Sequence, residues 1–358
     1  MRIAIITSNN LWFSPYVKIY TSILDKEGVS YDIITWCRDG KDEECCIQYK
    51  ERLKSTNPIV KFFRYLSYAS FVKKTLNRGK YDKLIVFTPQ VGIFISSYLK
   101  KFYRGQYIFD YRDLSIEQKP YFKRAFLRLL DNSVANVISS PGFMEHLPAN
   151  YDYILSHNFD VDIVRDAIQG DASTIQPSLE TINVLTIGGI RDYESNVQVI
   201  NSLANKEGFT VNFVGKGPSA ESLKTYSENS GFTNVHFEGY YPKEKEKDYI
   251  NNSTFLNIFY PRKPSHDSAL SNRFYNSLIY KKPMITTAET TQGYYALKHG
   301  LGVSVVDCTN LAEDLKKFLL NINMDEYNKR CNLLLQEFIL DYDRFLTMLK
   351  SFISTSHI

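Results

Sequence analysis

The 358-residue sequence predicts an α/β protein of two successive domains, each an open parallel sheet with helices on both faces. Three observations predict it. Short apolar runs alternate with stretches of helical spacing through the first half. A polar stretch then interrupts the pattern, and the alternation resumes afterwards. Strands separated by helix-length segments need crossover connections, and crossovers make parallel sheets.

In the first half the strand-like runs are IAIIT from Ile3, YDIIT from Tyr31, KLIVFT from Lys83, QYIFDY from Gln106, NVISS from Asn136 and YDYILS from Tyr151. Helical spacing spans 16–26 and 91–102, and Ser14-Pro15 reads as a helix opening with Ser as the cap. The stretch DAIQGDASTIQPSLE is polar, carries Gly170 and Pro177, and has no apolar period. It predicts a linker over 166–181, with a first domain at 1–165. The second domain, 182–330, carries the strands TINVLTIGG, FTVNFVGKGP, NVHFEGYY, TFLNIFYP, PMITT and GVSVV. Its helices are expected at 195–207, 219–230, 272–280 and 311–321. A terminal helical segment, 331–358, is expected to pack back on the first domain.

Composition narrows the function. Hydrophobic residues make up 44% and charged residues 23%, which excludes a disordered chain. A net charge of +4 gives no nucleic-acid signature. The five cysteines are odd in number and form no C-x-x-C, so neither a disulfide framework nor a zinc site is expected, and a reducing cytoplasm fits. MRIAIITSNN reads as a buried strand rather than a signal peptide, and no apolar run approaches the roughly 20 residues of a membrane span.

Ligands of open parallel sheets bind at the carboxyl ends of the strands, so the loops there hold the candidates. Gly188 and Gly189 end the first strand of the second half, where glycine lets a phosphate approach backbone amides, and Arg191 supplies charge nearby. The run from Gly215 to Ala220 formally matches G-x-G-x-x-A, with Glu238 near the spacing of a ribose carboxylate. A dinucleotide reading follows, but the match does not sit after the first strand of either half. The milder reading is a tight turn with Lys216 near an anion. Farther on, Ser271 or Asn272 caps a helix whose first turn carries Arg273. The helix dipole disfavours a cation there, which points to an anionic partner. Asn276 lies one turn on, on nearly the same face.

Asp110, Arg112 and Asp113 end a strand of the first half, as catalytic groups or as a structural ion pair. Metal signals are poor. The six histidines contain no i, i+4 pair, and the D-x-D matches at Asp160 and Asp341 are of a kind common by chance. The segments PIVKFFRYLSYASFVKKTLNRGK and KPYFKRAFLRLL mix basic and aromatic residues. They suit an anionic membrane surface or, equally, a solvated helix face over a buried stripe.

The order and spacing of these segments resemble the GT-B glycosyltransferases, especially family 4 and its capsule and surface-polysaccharide members. IGGIRDYESN, VGKGP, VHFEGYY and LSNRFYNSLIYKKPMI are similar to that family's donor-binding domain. FDYRDL, SSPGFMEHLP and LSHNFDVD resemble its first-domain strand ends. The resemblance covers nearly the whole chain. It implies two Rossmann-like domains facing across a cleft. It also implies hexosyl transfer, with retention, from a nucleotide-diphosphate sugar to a glycan or lipid-linked acceptor, with no metal, no other cofactor and no nucleic acid. The place implied is the cytoplasm, at the inner face of the membrane.

By the same resemblance Gly189 and Arg191 lie near the donor phosphates, and Tyr240 lies where the base is held. Ser271 and Asn272 lie where amides meet the diphosphate. Asn276 falls where the family has a ribose-binding glutamate. Asp267, or Ser268, matches the glutamate that faces the donor sugar. Gly189 and Glu194 stand in place of the family's Arg–Lys pair, so Arg191, Lys216 and Arg273 are expected to supply that charge. Asp113 or Asp267 is expected to handle sugar hydroxyls or a proton, with His266 assisting. Two further readings share the fold: a nucleotide-sugar epimerase and a degenerate, non-catalytic partner subunit.

Overall fold

The computed structural model describes residues 1–51, 57–170 and 176–355. Contacts divide the chain into two units: Met1–His157 with Asp341–Ile358, and Asn158–Leu340.

The first unit holds a seven-stranded sheet in the order β3-β2-β1-β4-β5-β6-β7. Its strands are β1 (Arg2–Ile6), β2 (Ser30–Trp36), β3 (Cys46–Tyr49), β4 (Lys83–Phe87), β5 (Tyr107–Tyr111), β6 (Ala135–Ile138) and β7 (Tyr153–Leu155). Every adjacent pair is parallel. The helices are α1 (Val17–Lys26), α2 (Pro58–Gly79), α3 (Pro89–Phe102) and α4 (Lys123–Asn132). The edge strand β3 has no counterpart among the expected strands. It is four half-buried residues long, too short and too mixed to show a period. Ser14 does not cap α1. That helix starts at Val17, and the Ser14 hydroxyl is buried against Thr7 at 3.2 Å.

The second unit holds a six-stranded sheet in the order β10-β9-β8-β11-β12-β13. Its strands are β8 (Ile182–Gly189), β9 (Phe209–Lys216), β10 (Val235–Glu238), β11 (Phe255–Ile258), β12 (Met284–Thr287) and β13 (Gly302–Val305). These are the six runs read from the sequence, again parallel throughout. The helices are α5 (Val161–Gln169), α6 (Tyr193–Leu203), α7 (Ala220–Asn229), α8 (Glu246–Asn251), α9 (Pro264–Ser268), α10 (Asn272–Ile279), α11 (Thr291–Lys298), α12 (Leu311–Asn321) and α13 (Met324–Ser354), whose residues from Asp341 belong to the first unit.

Both faces of this sheet are covered. Val184 and Phe255 join one apolar core, while their chain neighbours Leu185 and Leu256 join the other, as a two-residue period requires. Residues 171–175 of the expected linker lie outside the described residues. Its first four, Asp166 to Gln169, belong to α5, whose Val164 is buried in the second unit's core. The polar sequence hid this helix, which buries only that one residue. Asp160 caps it by accepting from Asp162 N at 3.0 Å, so the first D-x-D is a helix start. At the other end of the chain, Phe345, Leu349 and Phe352 of α13 pack in the first unit's core beside Tyr20 and Phe87.

Candidate functional site

In the second sheet β8 has β9 on one side and β11 on the other, so the strand order reverses at β8 and β11. Their carboxyl ends make the place where such a sheet binds ligands. Arg273 occupies it from the first turn of α10 and is 8% exposed. Its Nε donates to Ile187 O at 2.6 Å, one terminal nitrogen to Asn257 O at 3.2 Å and the other to Gly189 O at 2.9 Å. Three of the five guanidinium N–H groups are thus engaged, leaving two. Among the described ion pairs none involves Arg273. Its guanidinium also lies 5.7 Å from the ring centroid of Tyr260. A buried cation held by neutral carbonyls and a ring face keeps its full positive charge, which an anion would neutralise.

The surroundings are polar and ordered. The buried Asn257 side chain donates to Thr186 at 2.9 Å and to Asn196 at 3.2 Å, which fixes the exit of β11. Ser271 caps α10 by accepting from Phe274 N at 3.3 Å. Its own N–H and hydroxyl both go to Gln292 Oε1, at 3.0 and 2.7 Å. The expected Ser271 amide is therefore taken by Gln292, and among the described hydrogen bonds none uses the amides of Asn272 and Arg273 at this helix end. The Asn272 side chain is exposed and accepts from Asn158 at 2.7 Å.

Asn276, one turn along α10, donates to Glu246 Oε1 at 3.3 Å. Tyr241 donates to the other oxygen of Glu246 at 2.7 Å, and Lys243 pairs with the same carboxylate. Burial and Glu246 raise the Tyr241 hydroxyl above its ordinary range, so it stays a donor. The Tyr241 oxygen lies 3.9 Å from where a Cβ on Gly188 would stand. Glu246 and Tyr241 were not anticipated. Glu246 sits in a run of alternating charge, Tyr241 closes the VHFEGYY segment just before it, and only the fold brings them to Asn276.

The remaining candidates lie on the same edge of the sheet. Arg191 is exposed and runs beside Gly189, with its Nε 3.4 Å from an ideal Cβ there. Lys216 ends β9 with its ammonium 5.7 Å from the ring centroid of Tyr240, which is 75% exposed. The glycines between have a packing role. A Cβ on Gly215, at φ +131°, would meet Gly188 O at 2.1 Å, and one on Gly217 would meet Ile190 O at 2.0 Å. The formal dinucleotide match therefore follows β9, away from the reversal, and seats one loop against another. On α9, Asp267 pairs with Arg262 at 3.1 Å. His266 Nδ1 lies 3.2 Å from Pro261 O. A carbonyl only accepts, so Nδ1 carries the proton and Nε2 is the basic nitrogen.

The first sheet reverses at β1 and β4. There Thr88, directly after β4, has φ +71°, an outlier for a β-branched residue, and its hydroxyl lies 3.0 Å from that of Ser8 after β1. Neither residue carries a sequence signal. Asp110 and Arg112 form a fully buried pair at 2.5 Å, with Tyr20 donating to Asp110 at 2.6 Å. Burial pushes the Asp110 carboxyl up, opposed by Arg112 and Tyr20. This is the structural ion pair of the two readings, and only Asp113 beyond it is exposed. Asp341 of the second D-x-D faces His157 at 3.2 Å. Among the described residues no three His, Cys, Asp or Glu side chains group to hold a metal ion.

No protein-family model matches the sequence, and no curated protein matches it. Solved structures do match in three dimensions. Sucrose-phosphate synthase from Thermosynechococcus elongatus has a TM-score of 0.68 at 13% identity, over 99% of this chain and 100% of that one. WaaG, a glycosyltransferase involved in lipopolysaccharide biosynthesis, has a TM-score of 0.60 at 12% identity, over 93% and 95%. Anabaena HepE, solved in complex with UDP and glucose, has a TM-score of 0.64 at 10% identity, over 98% and 100%. At such identities the likeness defines the fold. It is that of the GT-B glycosyltransferases, two parallel-sheet α/β domains with helices.

Proposed function

We propose that the chain is a glycosyltransferase that moves a hexose from a nucleotide-diphosphate donor to a glycan or lipid-linked acceptor in surface-polysaccharide synthesis. The observation that carries the reading is Arg273, a buried guanidinium in none of the described ion pairs, at the β8–β11 reversal. Cleaving the bond between sugar and diphosphate puts negative charge on the leaving group. The two remaining N–H groups of Arg273 and the amino end of α10 stabilise that charge in place of a metal. Glu246 and Asn276 offer a carboxylate and an amide to nucleoside hydroxyls. Arg191 and Lys216 add charge at the rim, and Tyr240 offers a face to the base.

Asp267, paired with Arg262, suits accepting from sugar hydroxyls. His266 suits proton handling through Nε2, and Asp113 is the acceptor-side carboxylate.

The test is a thermal-shift screen against nucleoside diphosphates and nucleotide sugars, followed by donor turnover with and without a chelator. A matching donor raises the melting temperature, and transfer survives the chelator. Failure of every nucleotide to stabilise the protein overturns the reading in favour of a non-catalytic partner. Conversion of the donor sugar without any acceptor identifies an epimerase instead.

A further inference from the structure

We propose that the start of α2, the middle of α3 and the turn at 119–124 form one surface that docks on an anionic lipid bilayer. This deepens the transferase reading by making the acceptor lipid-borne.

The apolar part is continuous. Ile59 is 68% exposed, Phe63 63% and Tyr121 75%, with Val60, Phe62 and Leu66 also exposed. Ring contacts chain them together. Phe63 meets Phe62 at 5.8 Å, Phe62 meets Phe94 at 5.5 Å, Phe94 meets Phe122 at 5.8 Å and Phe122 meets Tyr121 at 4.7 Å. Three elements far apart in sequence thus share one aromatic patch, larger than the singly scattered apolar residues of an ordinary surface.

The charge around it has one sign. No Asp or Glu occurs from Asn57 to Tyr81 or from Gln118 to Leu130. Lys61, Lys119, Lys123 and Arg124 are exposed. Among the described ion pairs none uses them, and only Arg64 has a partner, Glu51 at 2.5 Å. Lys61, Lys123 and Arg124 sit near the amino ends of α2 and α4, where the helix dipole opposes a cation. An external layer of anions accounts for that placement.

Position points the same way. In a crossover unit each helix begins at the carboxyl end of the preceding strand. The start of α2 and the 119–124 turn that leads into α4 therefore lie toward the carboxyl edge of the first sheet, the ligand-binding edge, and Phe94 of α3 joins them through its contacts with Phe62 and Phe122. A second copy of the chain is a poorer occupant. A two-fold contact through this patch would bring its cations against themselves. Aromatic rings beside Lys and Arg suit the headgroup boundary of an anionic bilayer. Among the described helices none is long and apolar enough to cross a membrane, so contact is at the surface.

The test is flotation with phosphatidylcholine vesicles, with and without phosphatidylglycerol. Wild-type protein is expected to float only with phosphatidylglycerol, and salt is expected to release it. Phe62→Ser/Phe63→Ser and Lys123→Gln/Arg124→Gln proteins are each expected to lose at least about tenfold in partitioning. All these side chains are solvent-facing, so folding and nucleotide affinity should stay at wild-type values. Wild-type protein that stays at the bottom, or variants that float equally well, overturn the proposal. So does a concentration-dependent dimer that the phenylalanine substitutions abolish. Intact nucleotide binding in a non-floating wild type removes the membrane surface and leaves the transferase reading standing.

Discussion

Asn276 and Glu246 meet at 3.3 Å although 30 residues separate them, and Tyr241 holds the other Glu246 oxygen at 2.7 Å. A carboxylate and an amide side by side can bind a vicinal diol, since one accepts while the other both donates and accepts. Glu246→Gln is expected to weaken nucleoside-diphosphate binding by roughly ten- to a hundredfold, the worth of a hydrogen bond to a charged group. Asn276→Asp places a second carboxylate beside the first and should weaken it too. The double exchange, Glu246→Gln with Asn276→Asp, restores one charge and should recover most of the affinity. Calorimetry on the three proteins checks this, and additive losses in the double variant would contradict it.

This pair also marks where sequence reading stops. All six strands of the second sheet are legible because each is a short apolar run between turn signals. Arg273 is legible as an anion-seeking cation because it opposes its own helix dipole. Glu246 is not, because its neighbours Lys243, Glu244, Lys245 and Lys247 look like any solvated run. The glycines at 215 and 217 matched a cofactor fingerprint in spelling alone, and only the nearness of Gly188 and Ile190 shows their packing role. Strand β3 and helix α5 bury too few residues to impose a period. The strain at Thr88 is a backbone property that no side-chain pattern announces.

Those glycines support a second prediction. Gly215→Ala adds a Cβ 2.1 Å from a backbone oxygen, at a φ of +131° that side chains rarely adopt. The neighbour is backbone and cannot swing away. A loss of about 3 kcal/mol or more is expected, together with weaker nucleotide binding because Gly188 is the atom group displaced. Gly231→Ala, at φ +67° with nothing within 4 Å, should be milder, at roughly 1 kcal/mol with binding unchanged. Denaturant melts of both proteins separate strain from collision.

His157 predicts a pH dependence. Burial depresses its pKa below the ordinary 6.5, although Asp341 pulls upward, and Arg112 adds to the depression. The unfolded chain therefore takes up the proton first as pH falls. The stabilisation from the neutral buried ring is present above 6.5 and is lost as pH drops from there through the folded-state value. One proton sets the ceiling of that slope, about 1.4 kcal/mol per pH unit. His157→Gln should flatten it. Urea midpoints between neutral and mildly acidic pH test the sign, and a stability that rises on acidification would contradict it.

Lys83 predicts a local effect on α13. Its ammonium is buried at 3% exposure and donates to Thr355 O at 2.7 Å and to Phe352 O. These are carbonyls at the end of a helix, which otherwise lack partners. Lys83→Met keeps the shape of the stem but strands both acceptors, at about 1–3 kcal/mol. Amide exchange should accelerate in the last turns of α13, where Leu349 and Phe352 pack, before it changes elsewhere in the first unit.

Arg273 separates a structural role from a binding role. Its three carbonyl contacts tie β8, β11 and α10 together, so Arg273→Met should lower the melting temperature of the free protein. That outcome alone would fit a mere brace. The discriminating quantity is the rise in melting temperature on adding a nucleoside diphosphate, measured for each protein against its own baseline. Wild-type protein should show a large rise, and Arg273→Met almost none, because the charge that meets the diphosphate is gone. Arg273→Lys retains the charge without the planar fork, so it should show a reduced but measurable rise. If all three proteins shift equally, Arg273 braces the strands and the diphosphate rests elsewhere. If the rise tracks the charge, the buried cation at the β8–β11 reversal is where the leaving group is held.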